Sequence, residues 1–247
     1  MPRVYLWDTL VIDDSDEPKR AAQGLPPKSE ARPRVVYDAL HRHHDVPFEA
    51  VALAYRTAAA AFNSIWHDLH VTWTVRQRLS VMLAGLGLRL PEEDLDHVVR
   101  TLEEMEVLIP PDLVPGVHEA LEVLHEEYTL AVVSDAIVSP GRALRELLGQ
   151  HDLAGYFDAF VFSDEIGCAK PDPRIFQAAA DALGVDLAHV VHVGDRDHND
   201  VKGAQAVGAR AVLLTAARDK DKHRTAADAV CESFADLPAI IDRFDAR

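Results

Sequence analysis

The chain has 247 residues, 48% of them hydrophobic, and carries 25 Lys and Arg against 41 Asp and Glu, a net charge of −16. That length suits one large domain or a core with a smaller inserted one, and the acidic surplus argues against nucleic acid and anionic membranes as partners because it repels their phosphates. The two cysteines, Cys168 and Cys231, stand in no C-x-x-C or Cys/His spacing, the N-terminal residues lack the pattern of a secretory signal, and no apolar run reaches membrane-spanning length, so a soluble, unprocessed cytoplasmic chain, monomer or homodimer, is expected.

Residues 3–7 form a short apolar run with a β-branched residue and two aromatics, bounded by Pro2 and a polar stretch at 13–16, and are predicted to be a buried strand. Residues 13–30 carry charges, Gly24 and the Pro26-Pro27 pair, which predicts a long, mobile connection. From 33 to 108 the apolar period becomes helical, through Val36 and Leu40, then Val51 and Phe62, then Val75 and Leu79. A last helix follows Pro91 with acids in its first turn and carries Leu95, Val98 and Leu102. Four such helices without an intervening strand predict a bundle.

After Pro110-Pro111 the pattern alternates. Helices are predicted over 116–127, 141–148, 173–183 and 200–207, and near-continuous apolar strands over 129–133, 159–162, 190–193 and 211–214. This is the signature of a parallel sheet covered on both faces. The first strand completes it, giving an α/β, doubly wound, Rossmann-like core of residues 1–13 and 110–247 with an inserted α-helical cap of residues 14–109.

In such a sheet, functional groups collect beyond the carboxyl ends of the strands. Asp8, Ser134 and Asp195 each follow a predicted strand end and are expected to face one site. Asp195 and Asp200 are joined by a tight polar turn that suits both carboxylates to one hard cation such as Mg²⁺, which takes a few carboxylates and completes its shell with water; a capped helix start at Asn199 or Asp200 is the alternative. Lys170 lies between Ala169 and Pro171, with Pro173 beyond, in a frame stiffened by fixed φ angles. A lysine there neutralises a transferred phosphoryl group and keeps a nearby carboxylate ionised, and Ser134 is placed to hydrogen-bond the same group.

Four segments, V-Y-L-W-D-T-L at 4–10, V-V-S-D at 132–135, A-K-P-D-P at 169–173 and V-H-V-G-D-R-D-H-N-D at 191–200, resemble the four ordered motifs of the haloacid dehalogenase superfamily. The connecting stretches P-G-V-H-E-A-L, Y-F-D-A-F-V-F-S-D-E-I-G and N-D-V-K-G-A-Q-A-V-G-A resemble the family's as well, and the bundle looks like its helical cap. The resemblance implies Mg²⁺-dependent phosphatase-type hydrolysis of a small phosphorylated metabolite, with Asp195 and Asp200 on the metal and Thr9, Ser134, Asp135 and Lys170 at the phosphoryl or substrate site. Asp135 departs from the pattern, since many relatives carry asparagine there.

The first motif departs further. Relatives carry an aspartate nucleophile four residues before the threonine, often with a second acid two residues after the nucleophile. Anchoring on Thr9 puts Tyr5 in the nucleophile slot and Trp7 in the acid slot; the competing register makes Asp8 the nucleophile and loses the threonine. Tyr5 could itself attack if activated by the metal, or merely fill a disused site. The alternatives to phosphatase chemistry are therefore a catalytically silent ligand-binding relative and dehalogenation of a small acid. Elsewhere, His41, His43 and His44 suit a helix C-terminus, Trp66 and Trp73 read as cap core, His192 as a packed strand residue and Arg196 as a salt-bridge partner of the neighbouring acids.

Overall fold

The computed structural model describes residues 2–4 and 6–245, with the backbone alone at 2–4 and 245; Tyr5, the expected occupant of the nucleophile slot, lies outside the described residues. Six strands, β1 (Pro2–Val4), β2 (Ala131–Ser134), β3 (Ala159–Phe162), β4 (Val191–Gly194), β5 (Arg210–Leu214) and β6 (Ala229–Cys231), form one parallel sheet in the order β3-β2-β1-β4-β5-β6. Val4 stands level with Val132 of β2 and Val193 of β4. The strand order reverses at β1, so the crevice beyond its carboxyl end is the expected ligand position of a doubly wound sheet, and Ser134 and Asp195 lie there, each two residues past the register of Val4.

Both faces of the sheet are covered, which is why its strands read as unbroken apolar runs. Val132, Val193, Val212 and Leu214 face a core that includes Leu121, Leu144, Phe234 and Ile241. Their neighbours Val133, Ala211 and Leu213 face the opposite core with Ile175, Phe176, Val201 and Ala204.

Between β1 and β2 run α1 (Glu17–Ala22), α2 (Lys28–His41), α3 (Phe48–Leu69), α4 (Val75–Leu86), α5 (Glu92–Glu103) and α6 (Met105–Leu108). The four long helices share a core containing Val36, Leu40, Val51, Leu79, Met82, Val98 and Leu102. A capping box starts α4: Thr74 accepts from the Gln77 N–H and the Gln77 side chain accepts from the Thr74 N–H. Among the described residues no helix is long and apolar enough to cross a membrane. The remainder supplies α7 (Val117–Glu127), α8 (Gly141–Gln150), α9 (Ser163–Ile166), α10 (Pro173–Leu183), α11 (Gly203–Ala206) and α12 (Leu237–Asp245).

Three predicted elements differ from the structure. The 13–30 segment is held in place: Pro18 lies in the first turn of α1, and the Lys28 ammonium is buried against Asp16 (2.7 Å), Asp14 (3.2 Å) and Glu106 of α6 (3.2 Å). The helix expected from Pro33 begins at Lys28 and carries that proline inside it. The first strand ends before Trp7, because the Leu6 carbonyl accepts the Leu10 (2.8 Å) and Val11 (3.0 Å) amides and turns the chain, with Asp8 at φ 52°. Aspartate tolerates that left-handed conformation better than most side chains. Asp8 therefore sits on a turn and does not directly follow the strand.

Candidate active site

The site is built around Asp200. Beyond Gly194 the chain runs through Asp195 into a π-helical segment, Asp197–Lys202, that folds the Asp200 carboxylate back over the end of β4. A Cβ on residue 194 would collide with that carboxyl group, so glycine is what allows the approach. Asp200 Oδ1 accepts from Lys170 Nζ at 2.7 Å and from His192 Nε2 at 3.0 Å, and Oδ2 accepts from the Arg196 amide at 3.0 Å. Burial alone would raise the Asp200 carboxyl, but the Lys170 charge and the His192 contact outweigh it and hold the group well below the usual carboxylate range.

Lys170 is among the largest fully buried side chains. Its Nζ also reaches the Val133 carbonyl (3.3 Å), its amide donates to Asp135 Oδ1 (2.9 Å), and its carbonyl accepts from Asn199 Nδ2 (3.2 Å). A buried ammonium is tolerable only with such pairing, so the same contacts that make the lysine stable fix its position. Asp135 is buried with Oδ2 lacking a hydrogen-bond partner, and burial raises its carboxyl against the pull of Lys170 beside it. Ser134 is fully buried at the end of β2, with its hydroxyl 3.4 Å from the Asp135 carbonyl.

Asp195 is the least engaged of these carboxylates. Both carboxylate oxygens are buried without a hydrogen bond, and the guanidinium nitrogens of Arg218 and Arg196 stay 3.5 and 3.7 Å away. Burial and the Asp200 charge push the Asp195 carboxyl up to about 7, with Asp8 adding to the repulsion and Arg196 and Arg218 opposing it. On the turn after β1, Asp8 Oδ1 accepts the Asp13 amide at 3.1 Å, while Thr9 is fully buried with its hydroxyl unpartnered.

The structure thus joins Ser134, Asp135, Lys170 and Asp200 through direct contacts or adjacency, with Asp195 close enough to Asp200 and Asp8 to feel both charges. The expectation that Asp195 and Asp200 aim both carboxylates at one cation meets a different geometry, because both oxygens of Asp200 are already engaged by Lys170, His192 and an amide. Among the described residues no cluster of three carboxylate, imidazole or thiol ligands occurs. The carboxylate of Asp195, buried and without donors, is the group that fits a cation, whose shell would be filled largely by water.

Asn199 and Arg218 belong to the site in ways the sequence reading missed, and His192, which flanks the acidic loop, reaches it. His192 is indeed packed, edge-on to Phe176 at 5.2 Å, but it also bonds Asp200; a lone histidine in an apolar strand needs a buried polar partner, and that was the available signal. Arg218 donates to the Asp195 carbonyl at 2.9 Å. Arg196 faces Asp195 as expected, His43 pairs with Asp94 (2.6 Å), and His44 meets the Arg89 carbonyl (2.6 Å).

The α3–α4 connection covers the Lys170 loop. Ala169 donates its amide to the His70 carbonyl (2.7 Å), and Val71 forms an antiparallel bridge with Cys168. Phe62 and Trp66 pack with Ala169, flanked by Trp73 and Ile137. The Arg78 guanidinium lies 4.6 Å from the Phe62 ring centroid and donates to the Ile137 carbonyl in the loop after β2.

A family profile described as haloacid dehalogenase-like hydrolase matches residues 9–208. The chain belongs to that family. The match begins at Thr9, so it leaves residue 5 and the choice of register outside it. A relative named probable phosphatase IndB, from Dickeya dadantii, is 31% identical over 74% of this chain and 81% of its own length. The chain spans less of other curated relatives, 35%, 44% and 28% of their lengths in three cases. Among solved structures, a phosphatase of the family from Thermococcus onnurineus superposes with a TM-score of 0.63 at 22% identity, covering 97% of this chain and 96% of that one. A 2-haloacid dehalogenase from Pseudomonas syringae pv. Tomato gives 0.62 at 23% identity, with 98% of each chain covered. At those identities the likeness speaks for the fold, which is the doubly wound core with helical cap expected from the sequence.

Proposed function

We propose that the chain is a phosphatase-class hydrolase-like protein that takes a small phosphorylated metabolite with Mg²⁺, built from a core of residues 1–13 and 110–247 and a cap of residues 14–109, with its attacking group altered at Tyr5. The observation that carries this reading is the buried Lys170–Asp200 pair beside the donorless carboxylate of Asp195, one fixed cation next to a place for another. When bound, a divalent cation would draw charge from the phosphoryl oxygens and relieve the Asp195–Asp200 repulsion. Lys170 would add a second positive charge to the same group, with Ser134, Asp135 and Thr9 lining it. Asp200 and His192 act through Lys170 as positioning residues.

The attacking group is the weak point. The turn at Asp8, and the hold of its carboxylate on the Asp13 amide, support anchoring the motif on Thr9 and so leave Tyr5 in the slot. A phenol of pKa about 10 is roughly one part in a thousand ionised at neutral pH, a deficit of about 4 kcal/mol against an ionised carboxylate. This favours, as a second reading, a relative that binds its ligand with little or no turnover. Dehalogenation is less well supported, since displacement at carbon has no use for a cation at Asp195.

The test is calorimetric titration of orthophosphate into the full chain with and without Mg²⁺. Phosphate binding that requires Mg²⁺ and is lost in Asp195→Asn is expected. Binding indifferent to both would remove the basis for the metal and phosphoryl assignment together.

A further inference from the structure

A cavity of about 630 Å³ opens between the loop that follows β4 and the loop that follows β5, with His67 of α3 on its rim. Five cationic side chains line it: Arg196 and Lys202 from the first loop, Arg218, Lys220 and Arg224 from the second. Only two carboxylates, Asp197 and Asp221, join them. A fifth of the chain's 25 Lys and Arg thus converge on one concavity of a molecule whose net charge is −16.

Internal pairing does not use up this charge. Lys202 pairs with Asp197 at 2.8 Å, and Arg218 and Arg224 share Asp221 at 2.9 and 3.9 Å. Lys220 stands exposed on the second loop. Counting Asp195, which lies behind Arg196 and Arg218, still leaves cations in excess of acids around the cavity. A solvated face of an acidic protein has no reason to gather an excess of like charges around a hollow; an anionic ligand supplies one.

The cavity shares a wall with the site above. Asn199 lines it and holds the Lys170 carbonyl, and the Arg196 amide holds Asp200. The cations come from two loops, so a ligand meeting both sets needs more than one anionic group, and guanidinium forks suit phosphoryl oxygens in pairs.

We propose that this cavity is a binding site for an oligophosphate, free or carried by a nucleoside, distinct from the phosphoryl position at Lys170. The site needs neither Mg²⁺ nor turnover, so it stands apart from the reading under Proposed function. The test is calorimetric titration of tripolyphosphate into the full chain in a chelating buffer of low ionic strength, beside the Lys220→Glu/Arg224→Glu variant, whose two side chains are exposed. Tripolyphosphate is expected to bind the wild type, to weaken as salt screens the site, and to lose at least about tenfold in the variant, in line with the reversal of two surface charges. ATP is expected to bind through the same residues, showing that the phosphate chain is what is read. Equal binding by the variant, no binding by the wild type at low salt, or equal binding of citrate would overturn the proposal, and ATP binding without tripolyphosphate binding would overturn the oligophosphate assignment.

Discussion

At the scale of single residues, Lys170 and Asp200 each exist in buried, charged form because of the other. Asp200→Asn leaves the ammonium uncompensated, and a loss of about 3–5 kcal/mol in urea unfolding is expected, the cost typical of breaking a buried pair from one side. The Asp200 carboxyl is depressed in the folded state, so its stabilisation is complete above the ordinary carboxylate range of about 4 and fades as pH falls through the lower folded value. Asp195 has the opposite sign. Its carboxyl is raised to about 7 when folded, so between the unfolded value of about 4 and that point the folded chain holds a proton the unfolded chain has released, and stability falls as pH rises. In chelating buffer, Asp195→Asn should therefore melt above wild type at about pH 8 and close to it at about pH 4; parallel pH profiles would show that Asp195 carries no such burden.

At the scale of elements, the apolar strands and helical periods were legible because each is a local pattern fixed by which faces are covered. The short edge strand β6 and helix α1 were not, since three and six residues carry too little periodicity. The Lys28 cluster shows the same limit: its acids come from residues 14, 16 and 106, a meeting that only the tertiary fold brings about. Lys28→Met should destabilise the chain by about 3–5 kcal/mol in denaturant unfolding, because it strands buried acids without a cation; a neutral result would mean that Arg32, 3.1 Å from Glu106, suffices. In the candidate site, residue types and strand ends pointed to Ser134, Lys170 and Asp195. Side-chain direction did not show in the sequence: the π-helical segment turns Asp200 toward Lys170 and His192, and the turn after Leu6 takes Asp8 off the strand end.

At the scale of the whole molecule, a sheet that reverses strand order at β1 brings the second, third and fourth motifs to one crevice, and the α3–α4 connection covers the loop that carries Lys170. Five of the 25 Lys and Arg of this strongly acidic chain line the cavity beside that crevice. The fold and the buried Lys170–Asp200 pair stand beside a first motif in which, on the proposed Thr9 register, Tyr5 takes the place of the carboxylate. Turnover of an aryl phosphate with Mg²⁺ by wild type, Tyr5→Asp, Tyr5→Phe and Asp8→Asn tests that account most directly. It predicts weak or no turnover by wild type, a gain on the order of a thousandfold in Tyr5→Asp, matching the ~4 kcal/mol ionisation deficit, and no effect of Asp8→Asn. Robust wild-type turnover abolished by Asp8→Asn would contradict it and make Asp8 the nucleophile.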